Sequence, residues 1–329
     1  MNGIDLTQAG ILRPYVACLE RRGIDADRYL ARARIPRPFI DMGHAPIPRR
    51  NGAWRFLEDV ERGEGIETFG FFLGDPLDLS DLGPFGRKLQ SAATLREAAG
   101  MAQRFMSHFV QGNRARLRFR DGSLWITCCS GGEVCRPADQ GCLVLLLEVV
   151  RMVAGPEWMP PRASLQSGPV DVAGALPGFA RCELLFDRDF TGVPVPAGFL
   201  EAAIHPGAGE AAPDPPALPS SGRLSDSIQA VVETSLPFYG PPSAAEAADL
   251  LGTSRATLFR RLSAEDVTYA EIVERTRFQA AQRLLQSRSF SVKEVAYLLG
   301  YSAPSNFIRA FRNRAGVTPS LFREVGEGV

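Results

Sequence analysis

The chain has 329 residues, 45% of them apolar and 22% charged, which is the composition of a folded globular protein and a length that calls for two domains. The amino-terminal MNGIDLTQAG lacks the basic start and apolar core of a secretory signal, and no apolar run approaches the roughly 20 residues of a membrane helix, so a cytoplasmic protein with no membrane partner is expected. A formal net charge of zero excludes a chain that binds nucleic acid by global charge alone.

Residues 7–22 (TQAGILRPYVACLERR) set Ile11, Leu12, Tyr15, Val16 and Leu19 on one helical face, with Gly23 just past the end. Asp25 is placed to cap a second helix, 27–34, which Ile35-Pro36 stops. Residues 49–62 carry Trp54, Leu57 and Val60 at helical spacing. The glycine-rich FGFFLGDPLDLSDLGPFG that follows is a poor helix and predicts a buried turn or loop, with Phe69, Phe71, Phe72 and Phe85 read as core before ligand site. Residues 94–110 are helical again, with Leu95, Ala98, Ala102, Phe105 and Phe109 on one face. The period then switches to two: 114–120, a turn at Asp121-Gly122 and 123–129 predict a β-hairpin. An apolar helix over 141–153 and short strands around 164–166, 182–186 and 193–195 complete a mixed α/β (α+β) domain, residues 1–205, large enough for its own core.

Little in this domain announces chemistry. Arg114, Arg116, Arg118 and Arg120 alternate on one strand and share a face; a solvated outer face is the first reading, and a pocket for an anionic effector built on Arg116 and Arg118 is the sharper one. Six cysteines fit no zinc pattern, and His44, His108 and His205 are scattered, so reduced thiols packed as small residues are expected, with the adjacent Cys128 and Cys129 on opposite faces of their strand. No phosphate loop, nucleophile elbow or metal-spaced cluster is present, which leaves no catalytic residue, metal or cofactor to name. HPGAGEAAPDPPALPSSG is too rich in Pro, Gly and Ala to bury a core, so residues 206–222 read as a linker to a second domain, 223–329.

That second domain is all-α and carries one device twice. Ser291 with Glu294 three residues on is a capping box, Val292, Val295, Ala296 and Leu299 form an apolar face, and Gly300 is placed to turn the chain into a second helix that Ser302 can cap. On that helix Phe307 and Phe311 fall on one side, and Ser305, Ile308, Arg309 and Arg312 on the other. The segment from Ser243 to Gly252 repeats the first half at an offset of 48 positions, and Leu258, Arg260 and Leu262 then match Phe307, Arg309 and Phe311. Between the copies YAEIVERTRFQAAQRLLQ has no Gly or Pro and predicts one connecting helix. Arg255, Arg260 and Arg261 in the first copy, and Arg309, Arg312 and Arg314 in the second, stand without acids beside them. By itself such a run is most simply a solvated helix face; on these helices it matches what phosphate contact requires.

The run Gly300-Tyr301 … Ser305-x-Phe307-x-Arg309-x-Phe311-Arg312 … Gly316-x-x-Pro319-x-x-Phe322-Arg323 resembles the signature of the AraC/XylS transcription regulators, and the resemblance to their DNA-binding domain spans about residues 224–323. More diffusely, Arg13-Pro14-Tyr15, Gly23-Ile24-Asp25, Ile35-Pro36, the 69–74 segment and Thr94-Leu95-Arg96-Glu97-Ala98 resemble the arabinose-binding-like amino-terminal domain of one branch of that family, over roughly residues 12–203. The resemblance implies a sequence-specific regulator of promoter DNA that works with RNA polymerase, forms a homodimer and is modulated by a small-molecule effector, though nothing in these residues favours a sugar. It implies Ala256, Phe259 and Arg260 in the first unit, and Pro304, Ser305, Ile308 and Arg309 in the second, as groove-facing. Arg260 and Arg309 are suited to guanine, while Arg255, Arg261, Arg312 and Arg314 are better placed for phosphates. Ala256 and Phe259 cannot hydrogen-bond a base, so the first unit is expected to read sequence less sharply. The alternatives are a DNA-binding domain fused to an enzyme, which would need an activated cysteine that the sequence does not supply, and one fused to a protein-binding adaptor.

Overall fold

Proline fits best in the first turn of a helix, where its missing N–H costs nothing, and Pro14 sits in the opening turn of the first helix. A computed structural model describes residues 4–74, 77–120, 122–172, 177–204, 212–218, 222–287 and 289–325. In it Leu6–Gln8 is a strand (β1), Ala9–Leu12 a 3-10 turn and Arg13–Arg21 the helix (α1), with the proline in its opening turn. The predicted helix from residue 7 thus starts late: Thr7 pairs across an antiparallel ladder with Ile47, a partner that local periodicity cannot see. Asp25 caps Ala26–Arg32 (α2) by accepting from Asp27 and Arg28 N–H. A helix that periodicity missed, Arg37–Met42 (α3), opens on Pro36 and Pro38 before strand Pro46–Pro48 (β2). A π-helical turn, Arg49–Trp54, leads into Arg55–Glu64 (α4).

The glycine-rich stretch corrects its reading as a turn or loop. It forms 3-10 helices Phe69–Gly74 and Leu79–Leu82 and then Pro84–Gln90 (α5). Gly70 is there for close approach: a Cβ would stand 2.1 Å from the carbonyl oxygen of Pro137, and the Gly70 N–H donates to Gln140 Oε1 at 3.0 Å. The long helix Leu95–Phe109 (α6), capped by Thr94, leads into the hairpin Asn113–Arg120 (β3) and Ser123–Ser130 (β4). Arg136–Ala154 (α7) starts five residues before the predicted helix, again with a proline in its first turn. Arg162–Ser164 (β5), Glu183–Leu185 (β6) and Thr191–Val195 (β7) complete a mixed five-stranded sheet in the order β3-β4-β7-β5-β6.

Helix α7 is tied to the sheet by Asp139, whose carboxylate accepts from Ser167 N–H and Oγ, each at 2.8 Å, and from the Thr191 hydroxyl. Its burial pushes that carboxyl above the ordinary range despite these donors. Cys128 is buried and Cys129 half-buried, and the six cysteines are free thiols. This unit, Asp5–Leu218, includes the described linker residues 212–218: Gln8 Nε2 donates to the Pro216 carbonyl at 2.9 Å, and Lys88 pairs with Asp214 at 2.9 Å. Asp121 of the hairpin turn, His205 and linker residues 206–211 and 219–221 lie outside the described residues.

The carboxy-terminal unit is helical throughout: Leu224–Tyr239 (α8), Ala244–Leu250 (α9), Arg255–Ser263 (α10), Tyr269–Gln286 (α11), Val292–Leu298 (α12), Pro304–Ala315 (α13) and Pro319–Val325 (α14). Helix α8 carries Leu224, Ile228, Val232 and Leu236 at four-residue spacing, all buried. Its first N–H groups are capped from outside the helix, Leu224 and Ser225 donating to the Glu265 carboxylate at 2.7 and 3.0 Å. One apolar core joins α8 to Leu258 and Leu262 of α10, Ile272, Ala281 and Leu285 of α11, Val295 and Ala296 of α12, and Phe307 and Phe311 of α13. The two-domain architecture read from the sequence, mixed α/β then all-α, is the observed one. Among the described residues no helix is long and apolar enough to cross a membrane.

Candidate nucleic-acid interface

Both helix-turn-helix units start and end on the same bonds. Glu246 N–H donates to Ser243 Oγ at 3.2 Å and Ser243 N–H to Glu246 Oε2 at 2.7 Å; Ser291 and Glu294 repeat the pair at the same two distances. At the other end Gly300 takes φ +74°, and Gly300 and Tyr301 N–H donate back to the Tyr297 and Ala296 carbonyls at 2.9 and 3.0 Å. Gly252, at φ +61°, and Thr253 do the same to Asp249 and Ala248. These are paired Schellman closures, which give the orphan carbonyls of α9 and α12 their partners and set the angle at which each second helix leaves.

The second helices differ in their starts. Ser254 caps α10, accepting from Thr257 N–H at 3.1 Å. On α13 the cap is Ala303, without a side-chain bond, and Ser302 stands one residue outside the expected place. Pro304 is the reason: it forces the residue before it into extended backbone, here φ −145° and ψ 141°, and it brings no N–H that needs an acceptor.

Burial separates the faces of both helices. Leu258 and Leu262 are buried on α10, and Phe307 and Phe311 on α13. Phe311 meets Phe278 of α11 and Phe322 of α14 with ring centroids 5.3 Å apart in each case, so the helix is seated from two sides. On the outer face of α10, Ala256 and Arg260 are exposed and Phe259 is 38% exposed. On α13, Ser305 and Arg309 are exposed, Ile308 is 37% exposed and Pro304 is half-buried. Arg255, Arg312 and Arg314 are exposed and Arg261 half-buried.

For Arg255, Arg260, Arg309, Arg312 and Arg314 no ion pair is seen among the described residues. Arg255 lies over the Phe259 ring at 5.2 Å and Arg314 over Phe278 at 5.3 Å, cation–π contacts that orient a guanidinium without neutralising it. Arg260 and Arg312 make no side-chain hydrogen bond or ion pair among the described residues, and Arg309 reaches only the Asn306 amide oxygen at 3.4 Å. Three acids of this unit pair with arginines outside the two reading helices: Glu274 with Arg277, Glu233 with Arg283, Glu265 with Arg223. Two groups escaped sequence reasoning. Asn306 is exposed on the same face of α13 and carries the amide that suits adenine. Thr268 and Glu271 form a third capping box at the start of α11, a Thr-x-x-Glu legible in the sequence.

The effector candidates lie elsewhere. Arg116 is exposed on β3; Arg118 is half-buried, 5.3 Å over the Phe190 ring and 3.9 Å from Asp189. Neither lines the apolar cavity of that unit.

Comparison with known proteins follows this division. Residues 23–204 match the family model described as the arabinose-binding domain of AraC transcription regulators, and residues 247–324 match that of a helix-turn-helix domain. The chain is 27% identical over 334 residues to the HTH-type transcriptional regulator VirS of Mycobacterium tuberculosis, covering 98% of this chain and 97% of that one. It is 39% identical over 83 residues to the ornithine utilization regulator of Pseudomonas aeruginosa, covering 25% and 24% of the two chains. With the HTH-type transcriptional regulator GadX of Escherichia coli K12 it shares 37% over 71 residues, covering 22% and 26%. Among solved structures, the transcriptional regulator CdpR from Pseudomonas aeruginosa aligns with a TM-score of 0.40 at 24% identity, covering 93% and 98%.

Proposed function

We propose, for a chain that belongs to the AraC family of DNA-binding transcription regulators, that α10 and α13 enter successive major grooves on one face of a promoter. The observation that carries this is the shared core: α10 packs on α8 and α9, and α13 packs on α12 and meets α11 through Phe278. One apolar cluster that includes α11, 18 residues and roughly 27 Å long, joins the two reading helices, whose sequences carry arginines without acids. Successive grooves on one face lie roughly 34 Å apart, and a continuous helix is the kind of spacer that can hold that distance.

In this reading Arg309 and Arg260 pair with guanine, Asn306 and Ser305 read neighbouring bases, and Ile308 and Phe259 touch thymine methyls. Arg255, Arg261, Arg312 and Arg314 hold the phosphates and supply the salt-dependent part of the affinity. The amino-terminal unit senses a small-molecule effector and pairs two copies, and the DNA-bound dimer acts on RNA polymerase from the cytoplasm; membership of the family supports these roles. Selection of bound sequences from a random duplex pool tests it. Two sequence blocks one helical turn apart, the block under α13 the sharper, are expected. No enrichment over scrambled duplex at physiological salt would overturn the reading.

A further inference from the structure

The amino-terminal unit contains a cavity of about 60 Å³, open on one side, between α1, α4, α6 and α7. Its walls are apolar, with Leu12, Leu57, Met106, Phe109 and Leu145 prominent. The few polar groups are mostly engaged: Thr7 Oγ1 donates to the Phe109 carbonyl at 3.1 Å and Tyr15 OH to that of Pro137 at 3.3 Å.

Arg49 is different. It is the one charged residue among those lining the cavity, its side chain is 8% exposed, and its guanidinium lies 4.8 Å from the Trp54 ring. Nη1 donates to the Gln111 carbonyl at 2.6 Å and weakly to Asn113 Oδ1 at 3.4 Å, and Nη2 to the half-exposed Asp5 carboxylate at 2.7 Å. Nε is buried and has no partner. A buried N–H on a cation, left unpaired at the edge of an apolar cavity, asks for an acceptor oxygen at the end of an apolar body.

We infer that this cavity binds the effector and that the effector is a small monocarboxylic acid with an apolar aliphatic or aryl body, its carboxylate on Arg49 and its body against α6 and α7. The inference rests on reading the amino-terminal unit as the effector sensor. A pentose is a poor fit, because its several hydroxyls would face carbon walls and find few unengaged donors. Arg116 and Arg118 take no part.

The test uses the full chain, with Trp54 in the cavity wall as a fluorescence reporter and thermal unfolding as a second readout. Octanoate and 3-phenylpropionate are titrated as probes, with 1-octanol and L-arabinose as comparators. At least one acid is expected to quench the fluorescence and raise the melting temperature, binding about tenfold or more tightly than 1-octanol. The stronger acid identifies the body as aliphatic or aryl. Arg49→Gln is expected to remove that margin, and Leu145→Trp, which adds bulk to the α7 wall of the cavity, to abolish binding of both acids; Arg116→Ala with Arg118→Ala leaves binding intact. Equal affinity for octanoate and 1-octanol, binding of arabinose in place of the acids, or loss of acid binding in the Arg116/Arg118 variant would each overturn the assignment. Binding of the ligand-free protein to its selected duplex is measured alongside. Intact DNA selectivity without acid binding sinks the cavity assignment alone, whereas acid binding without DNA selectivity sinks the regulator reading and leaves the cavity standing.

Discussion

Arg309 and Arg312 lie three positions apart on α13, yet their proposed roles differ. A guanidinium that reads guanine carries sequence information, whereas one that holds a phosphate does not. Arg309→Ala is therefore expected to cost about 1–3 kcal/mol on the selected site and to relax the preference at one base pair. Arg312→Ala is expected to weaken binding to all duplexes alike and to lower the slope of log affinity against log salt by about 1. Fluorescence anisotropy across a salt series, on matched and single-mismatch duplexes, separates the two. Gly300 is the residue whose loss would be felt before DNA is present. It holds φ +74°, and a Cβ there would stand 2.9 Å from Gly240 Cα. Gly316 holds φ +75° with open space around its missing Cβ. Gly316→Ala is expected to cost only the left-handed conformation, about 1–2 kcal/mol, and Gly300→Ala more, as measured by chemical denaturation.

At the scale of elements, the capping boxes tie stability to pH. The Ser291 N–H, and then its hydroxyl, hold Glu294 below the ordinary glutamate range, and Thr268 does the same for Glu271. A carboxyl lowered in the folded state contributes stability at pH values above its unfolded range and loses it as pH falls through the folded value. Acid unfolding of the carboxy-terminal helices is thus expected to begin below the ordinary glutamate range. Ser291→Ala, at a cost of about 1 kcal/mol at neutral pH, should flatten that acid limb; circular dichroism against pH reads both. The same boxes explain what was legible in the chain. Ser-x-x-Glu, the glycine after it and the buried Phe307 and Phe311 encode bonds made within one or two turns, so sequence alone places both helix-turn-helix units. What it missed is non-local or negative. β1 exists because residue 7 meets residue 47, and the Gly-rich 69–74 segment is helical because Gly70 fits under Pro137. Ser302 fails to cap because Pro304 fixes Ala303 in extended backbone. The alternating arginines of β3 are visible as a pattern on one strand, whereas the cavity is assembled from several separate elements and its one charged lining residue is the buried Arg49, which no local pattern marks.

At the scale of the molecule, a net charge of zero conceals a division of labour. The arginines without acids sit on α10 and α13, and the buried arginine without a full set of partners sits at the cavity of the other unit. Neither is visible in the total. Regulation then requires that the two reading helices behave as one body, since a ligand can shift DNA affinity only by favouring one arrangement over another. The shared core of α8, α10, α11, α12 and α13 makes them one body. Hydroxyl-radical footprinting on the selected duplex measures this directly. Two clusters of protected sugars on one face of the helix, about one turn or 10 base pairs apart, are expected, with Arg260→Ala thinning one cluster and Arg309→Ala the other. A single cluster, or two on opposite faces, would contradict it.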